Sequence, residues 1–156
     1  MTVTIYTDGA SRGNPGDAGI GVVIASEDGT VLREIGDYIG KTTNNVAEYS
    51  ALIRGLREAL DLGADAIRIS TDSQLMAFQL TGVYKVKAAN LKPLHEEATS
   101  LLRHFRKVTI SHVMRELNKR ADQLANEGID KHWKRGSSAA KPTPERARKA
   151  QRELDL

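Results

Sequence analysis

The sequence predicts an α/β domain built on a five-stranded mixed sheet. Three observations carry this reading. Strand-like segments come first in a run of three, the hydrophobic period then lengthens from two to about four, and the later strands alternate with helices. The order reads βββαβα(α)βα. A chain of 156 residues is the length of one such domain and buries a core without staples.

Residues 3–8 form the first strand, with Val3 and Ile5 on one face. Asn14-Pro15-Gly16 signals a turn, and residues 19–26 (GIGVVIAS) form a second strand rich in β-branched side chains. Glu27-Asp28-Gly29 turns the chain into a third strand over residues 31–39, which completes an antiparallel meander. Leu52, Leu56 and Leu60, with Ile53 and Ala59 beside them, make the buried stripe of a helix that Gly63 stops. Residues 66–71 (AIRIST) are the fourth strand, and a short helix follows Ser73. A further helical stretch covers residues 91–105. Val108, Ile110, His112 and Met114 alternate as the fifth strand. The last helix spans residues 118–133, with Leu124, Ala125 and Ile129 facing inward. Crossover helices make the later strands parallel to the first.

Composition narrows the function. Without cysteine there is neither a disulfide framework nor a thiolate metal site. No basic segment followed by a long apolar run opens the chain, and no apolar stretch has the length of a membrane span. The expected location is therefore the cytoplasm, without membrane association, and nothing calls for more than a monomer. Residues 134–156 carry seven Lys/Arg against three Asp/Glu, a net of +4, whereas residues 1–133 have a net of −1. Residues 136–144 (GSSAAKPTP) read as a linker, and residues 145–154 as a helix too short to hold without docking. The chain thus divides into a folded domain, 1–133, and a basic linker and tail, 134–156. Such a tail either attracts phosphates or is a solvated end.

Asp8 ends the first predicted strand and Asp72 follows the fourth; as parallel neighbours they stand together where open α/β sheets bind ligands. Glu48 lies in the first turn of the long helix, in phase with Leu52, and so points toward the sheet. Asp122 lies near the start of the last helix. Four acids can meet at one edge, where mutual repulsion and desolvation require neutralisation by protons or cations. Oxygen ligands without His or Cys suit a hard cation such as Mg²⁺ or Mn²⁺. Two such ions about 4 Å apart can clamp the attacking and leaving oxygens of a phosphodiester cleavage. Local readings stand beside this one. Glu48 could close a capping box with Asn45, Asp8 could form a turn before Gly9, Asp72 could cap a helix, and Asp122 could answer a helix dipole. Their joint fall on one sheet edge favours the cluster.

Four stretches then form a pattern: Thr7-Asp8-Gly9-Ala10-Ser11-Arg12-Gly13-Asn14-Pro15-Gly16, Thr43-Asn44-Asn45-Val46-Ala47-Glu48, Thr71-Asp72-Ser73-Gln74, and residues 118–126 (NKRADQLAN). They resemble the motif blocks of type 1 ribonuclease H, in that family's order, over residues 1–133. The resemblance implies strand order 3-2-1-4-5 and a catalytic domain that cuts the RNA strand of RNA–DNA hybrids. It implies Asp8, Glu48, Asp72 and Asp122 as catalytic residues holding two Mg²⁺ ions, with Mn²⁺ as a substitute. The products would carry a 3′-hydroxyl and a 5′-phosphate. Asn14, Asn44 and Gln74 match contacts to 2′-hydroxyls and minor-groove edges. Thr43, with Asn14 and Lys41, matches a pocket for a DNA-strand phosphate, though Thr43, Asn44 and Asn45 also suit ordinary capping.

Three departures from the family pattern stand out. The loop before the last acid is short and lacks the His that many members carry; His112 is read as structural, and Arg115 as the substitute cation. Residues 81–87 (TGVYKVK) are compact where some members have a basic protrusion. The basic tail is then expected to supply part of the missing positive surface. The competing readings are a non-catalytic hybrid or double-stranded RNA binder on the same fold, a related nuclease or integrase-like domain, and a flavodoxin-like module. A complete acid set opposes the first and the Asn44-to-Glu48 and Asp122 blocks oppose the second. The hairpin signal after the first strand, where a phosphate loop would be needed, opposes the third.

Overall fold

Asn14 and Pro15 fold the chain back on itself, and the strands they join run longer than apolar alternation predicts. In the computed structural model, which describes residues 1–138, β1 (Thr2–Gly13) pairs antiparallel with β2 (Gly16–Ser26) from Val3↔Ser26 to Gly13↔Gly16. Asp8 therefore lies within the hairpin, opposite Gly21, and not at the strand's end. Residues 9–13 carry almost no apolar side chains, so only the backbone ladder reveals them as strand. β3 (Val31–Thr42) pairs antiparallel with β2 and bulges at Ile39, between Tyr38 and Gly40. β4 (Ala66–Thr71) runs parallel to β1, and β5 (Lys107–His112) parallel to β4. The sheet order is β3-β2-β1-β4-β5, as the resemblance implied.

The helices are α1 (Asn44–Asp61), α2 (Gln74–Leu80), α3 (Lys92–Leu102) and α4 (Lys119–Ser138), with a 3₁₀ turn at Arg115–Asn118 before the last. α1 covers one sheet face. Its Leu52, Leu56 and Ala59 are fully buried with Val3, Ile5, Val22, Ile24 and Ile69, each large one worth about 1.5–3 kcal/mol of burial. Leu60 is only partly buried. Met114, expected inside the last strand, lies past its end and is 66% exposed.

α4 covers the other face through Leu124, Ala125 and Ile129, the inward set expected, joined by Ala121. It lies unusually close. A Cβ placed on Gly21 would stand 1.8 Å from the Ala121 carbonyl oxygen, and one on Gly19 2.2 Å from that of Ala125. Only glycine lets helix backbone rest on strand backbone here. α4 continues past Trp133 to Ser138, so the linker expected at 136–144 begins as helix. Residues 139–156, with the short helix expected at 145–154, lie outside the described residues. Among the described residues no helix is long and apolar enough to cross a membrane.

Candidate active site

β1 and β4 are paired up to Thr7↔Thr71; Asp8 is the next residue of β1, and Asp72 is the first residue after β4. Both acids thus flank the point where the ladder opens. Gly9 makes room for the third. A Cβ there would lie 2.3 Å from the Ala47 carbonyl carbon and 2.4 Å from the Glu48 nitrogen, so α1 can set Glu48 directly against Asp8. One carboxylate oxygen from each of Asp8, Glu48 and Asp72 lies within 4.8 Å of the other two. Asp8 is 4% and Glu48 5% exposed. Asp122, in the first turn of α4, is half-buried and near enough to push the Asp8 carboxyl up, but falls outside that tight trio.

The local alternatives separate cleanly. Thr43, not Asn45, caps α1, its Oγ1 accepting from the Val46 N–H at 3.3 Å. Glu48 therefore lies beyond the first turn and closes no capping box. Ser73, not Asp72, caps α2 through the Met76 N–H at 3.2 Å. Asp8 is in a ladder, not a turn. For Asp122 the dipole account holds alongside the cluster, since it does sit in a helix's first turn.

Burial drives the Asp8 carboxyl far above the ordinary range, and the charges of Glu48 and Asp72 push it further. Burial also raises Glu48, offset by its contact with Asp8, by the Gly9 N–H and by the charge of Arg115. Glu48 Oε2 is buried without any hydrogen-bond partner. An idle, buried carboxylate oxygen inside an oxygen-only trio is what a hard divalent cation would complete. Ligands of one Mg²⁺, each about 2.1 Å from it, stand roughly 3–4 Å apart, so closing the trio's 4.8 Å spread onto an ion takes only a small inward movement. The residues fit such an ion.

The trio floors a cleft of about 370 Å³, walled by Asn44, Ser73, His112 and Arg115. Arg115 Nε is 3.8 Å from Asp72 Oδ2, with the Arg115 side chain 82% exposed. Asn14 Oδ1 accepts from the Asn44 N–H at 3.1 Å, joining the hairpin turn to the start of α1. Lys41 is exposed near the end of β3, opposite Asp17, and Gln74 is exposed at the start of α2 outside the cleft wall. His112, read from sequence as structural, does line the cleft, and its Nε2–H donates to the Asp72 carbonyl at 3.2 Å. It is the last residue of β5, paired with Thr71, which the alternation running on to Met114 hides.

Known proteins are similar to this chain in sequence and in fold. A family model described as "Reverse transcriptase-like" matches residues 6–128. Ribonuclease HI of Halobacterium salinarum is 49% identical over 128 residues, 82% of this chain and 64% of the relative. A bifunctional protein of Mycobacterium tuberculosis is 43% identical over 143 residues, 91% of this chain and 39% of its own length. The chain thus spans less than two thirds of these relatives. The crystal structure of the Halobacterium salinarum RNase H1 is similar with a TM-score of 0.82 and 48% identity, covering 84% of this chain and 99% of that one. LC11-RNase H1, solved in complex with an RNA/DNA hybrid, gives a TM-score of 0.79 and 46% identity, covering 83% of this chain and 98% of that one. With the fold, the acid trio and these relatives in agreement, the chain belongs to the type 1 ribonuclease H family.

Proposed function

We propose that this chain is an endoribonuclease that hydrolyses the RNA strand of RNA–DNA hybrids, leaving 3′-hydroxyl and 5′-phosphate ends. The observation that carries the reading is the buried, partnerless Glu48 oxygen within 4.8 Å of its Asp8 and Asp72 counterparts. The likeness to an RNase H1 solved on an RNA/DNA hybrid supports the substrate. Asp8, Glu48, Asp72 and Asp122 would hold two Mg²⁺ ions, or Mn²⁺ in their place. When bound, such ions supply an activated water and neutralise charge on the phosphate.

The chain's own residues do the positioning. Asn14, Lys41, Thr43, Asn44 and Gln74 orient the hybrid, with Asn14 and Asn44 already tied to each other. Arg115 places an exposed positive charge beside Asp72, where it can steady a departing phosphate oxygen. The same reading has the protein act as a monomer in the cytoplasm.

The test is cleavage of an end-labelled hybrid, with and without Mg²⁺, by the wild type and by Asp72→Asn. Cleavage that needs both the metal and Asp72 is expected. Tight hybrid binding without cleavage, in either metal condition, would instead make the chain a non-catalytic hybrid binder.

A further inference from the structure

Where β1 and β4 separate after Thr7 and Thr71, the Thr7 carbonyl loses its strand partner, while the Thr71 carbonyl faces β5. These carbonyls immediately precede Asp8 and Asp72. One short segment, residues 113–118, takes up both. The Val113 N–H donates to the Thr71 carbonyl at 2.8 Å. Asn118 Nδ2 donates to the Thr7 carbonyl at 2.8 Å, across 111 residues of sequence. Between these two anchors the segment carries Arg115, which faces Asp72, and α4 starts at the residue after Asn118.

Asn118 is 2% exposed, and its Oδ1 is buried with no partner. A buried amide with one end idle is a poor choice for stability alone, because an unpaired acceptor carries a desolvation cost. Its working end is the donor, spent on the peptide that leads into Asp8. We infer that Asn118 is a positioning residue for the metal site. Its amide holds the Thr7–Asp8 peptide in place and couples it to the helix that carries Asp122. This rests on the reading of the four acids as metal ligands. Without the amide, the Thr7 carbonyl turns toward another donor or an entering water, and the spacing of Asp8 from Asp72 and Asp122 loosens. The hybrid contacts on the hairpin turn and the start of α1 do not pass through Asn118 and stay as they are.

The test uses the full chain without hybrid, with Mn²⁺ as the probe, read by electron paramagnetic resonance or calorimetry. Asn118→Ala removes the amide, and Asn118→Leu fills the same space without a donor, which decides the matter should the alanine variant not fold. Both should bind Mn²⁺ about 10- to 100-fold more weakly. Half-saturating Mg²⁺ in the cleavage assay should rise in parallel, while KM for the hybrid stays within about twofold. A core variant far from the site, Leu56→Ala, should lose stability yet bind Mn²⁺ as the wild type does. Wild-type Mn²⁺ affinity in the Asn118 variants, or equal weakening in Leu56→Ala, overturns the inference. Asp72→Asn separates the two levels. If it loses Mn²⁺ while the Asn118 variants keep it, only the role of Asn118 falls; if it too binds normally, the metal-site reading falls with it.

Discussion

Replacing Gly21 by alanine should disable the site from outside it. The new Cβ would stand 1.8 Å from the Ala121 carbonyl oxygen, where ordinary contact begins at 3.4 Å. Because the obstacle is a backbone carbonyl, no rotamer relieves it. α4 must rise by about 1.6 Å at that turn, or the β2 backbone must yield by as much. Lifting the helix loosens Leu124, Ala125 and Ile129 from the sheet, so the cost should reach the upper end of overpacking, about 3 kcal/mol. For a domain of this size that corresponds to a fall in Tm of roughly 10 °C. Asp122 adjoins Ala121 and moves with it, away from Asp8. A displacement of about 1 Å in a catalytic group can cost about 100-fold in rate, so kcat should fall by about that factor at saturating hybrid and Mg²⁺.

The comparison is Leu56→Ala on the opposite helix. It should cost about 2–5 kcal/mol by leaving a cavity, yet it moves no part of α4. Measured well below both melting temperatures, Leu56→Ala should keep kcat within a few-fold of the wild type. If Gly21→Ala matches the wild type in kcat, or if Leu56→Ala loses as much, the coupling of helix seat to site is refuted.

Stability of the metal-free protein should fall as pH rises. Asp8 and Glu48 start from ordinary values of 3.8 and 4.5 in the unfolded chain and are raised by folding, so above roughly pH 4 the native state holds more protons and unfolding becomes easier with each step upward. Urea titrations in chelator should show this slope from roughly pH 5 to 8, Asp8→Asn should flatten it, and a slope of opposite sign would contradict the buried-proton account. Arg115→Ala should lower kcat several-fold while leaving Tm and Mn²⁺ binding unchanged, given how exposed the side chain is; unaltered turnover would remove Arg115 from the site. Deleting residues 139–156, which hold five Lys/Arg, should weaken hybrid binding and flatten its dependence on salt, and an unchanged slope would show the tail does not touch the hybrid.

Much of this was legible because burial leaves periodic marks. The Leu52–Leu56 stripe and the alternation of Val3 with Ile5 announce their elements, and the order of elements then limits the topology. What escaped notice lacks a side-chain signature. Residues 9–13 are strand only because β2 lies beside them. Gly19 and Gly21 look like loose points in a strand until the helix that needs them is in place. Asn45 and Glu48 have capping-box spacing, but the helix begins under Thr43, which no local rule decides. His112 alternates with Val108 and Ile110 and so reads as sheet, although ending the strand puts it in the cleft. Asn118 bonds to a distant backbone carbonyl, a partner that no spacing can show.

The four acids come from four separate segments, and what unites them is chemically silent. Gly9 admits α1, Gly21 admits α4, and Asn118 ties the open ladder to the helix. These two kinds of residue should answer substitution in opposite ways. Exchanging an acid for its amide removes repulsion, so activity falls while the metal-free fold holds or tightens. Filling a glycine seat strains the fold and shifts an acid at once, so activity and stability fall together. Plotted as kcat against metal-free Tm, acid variants and seat variants should therefore separate into two groups. A single common trend would mean that the carboxylates support the fold and do not burden it, contrary to the charge crowding at Asp8.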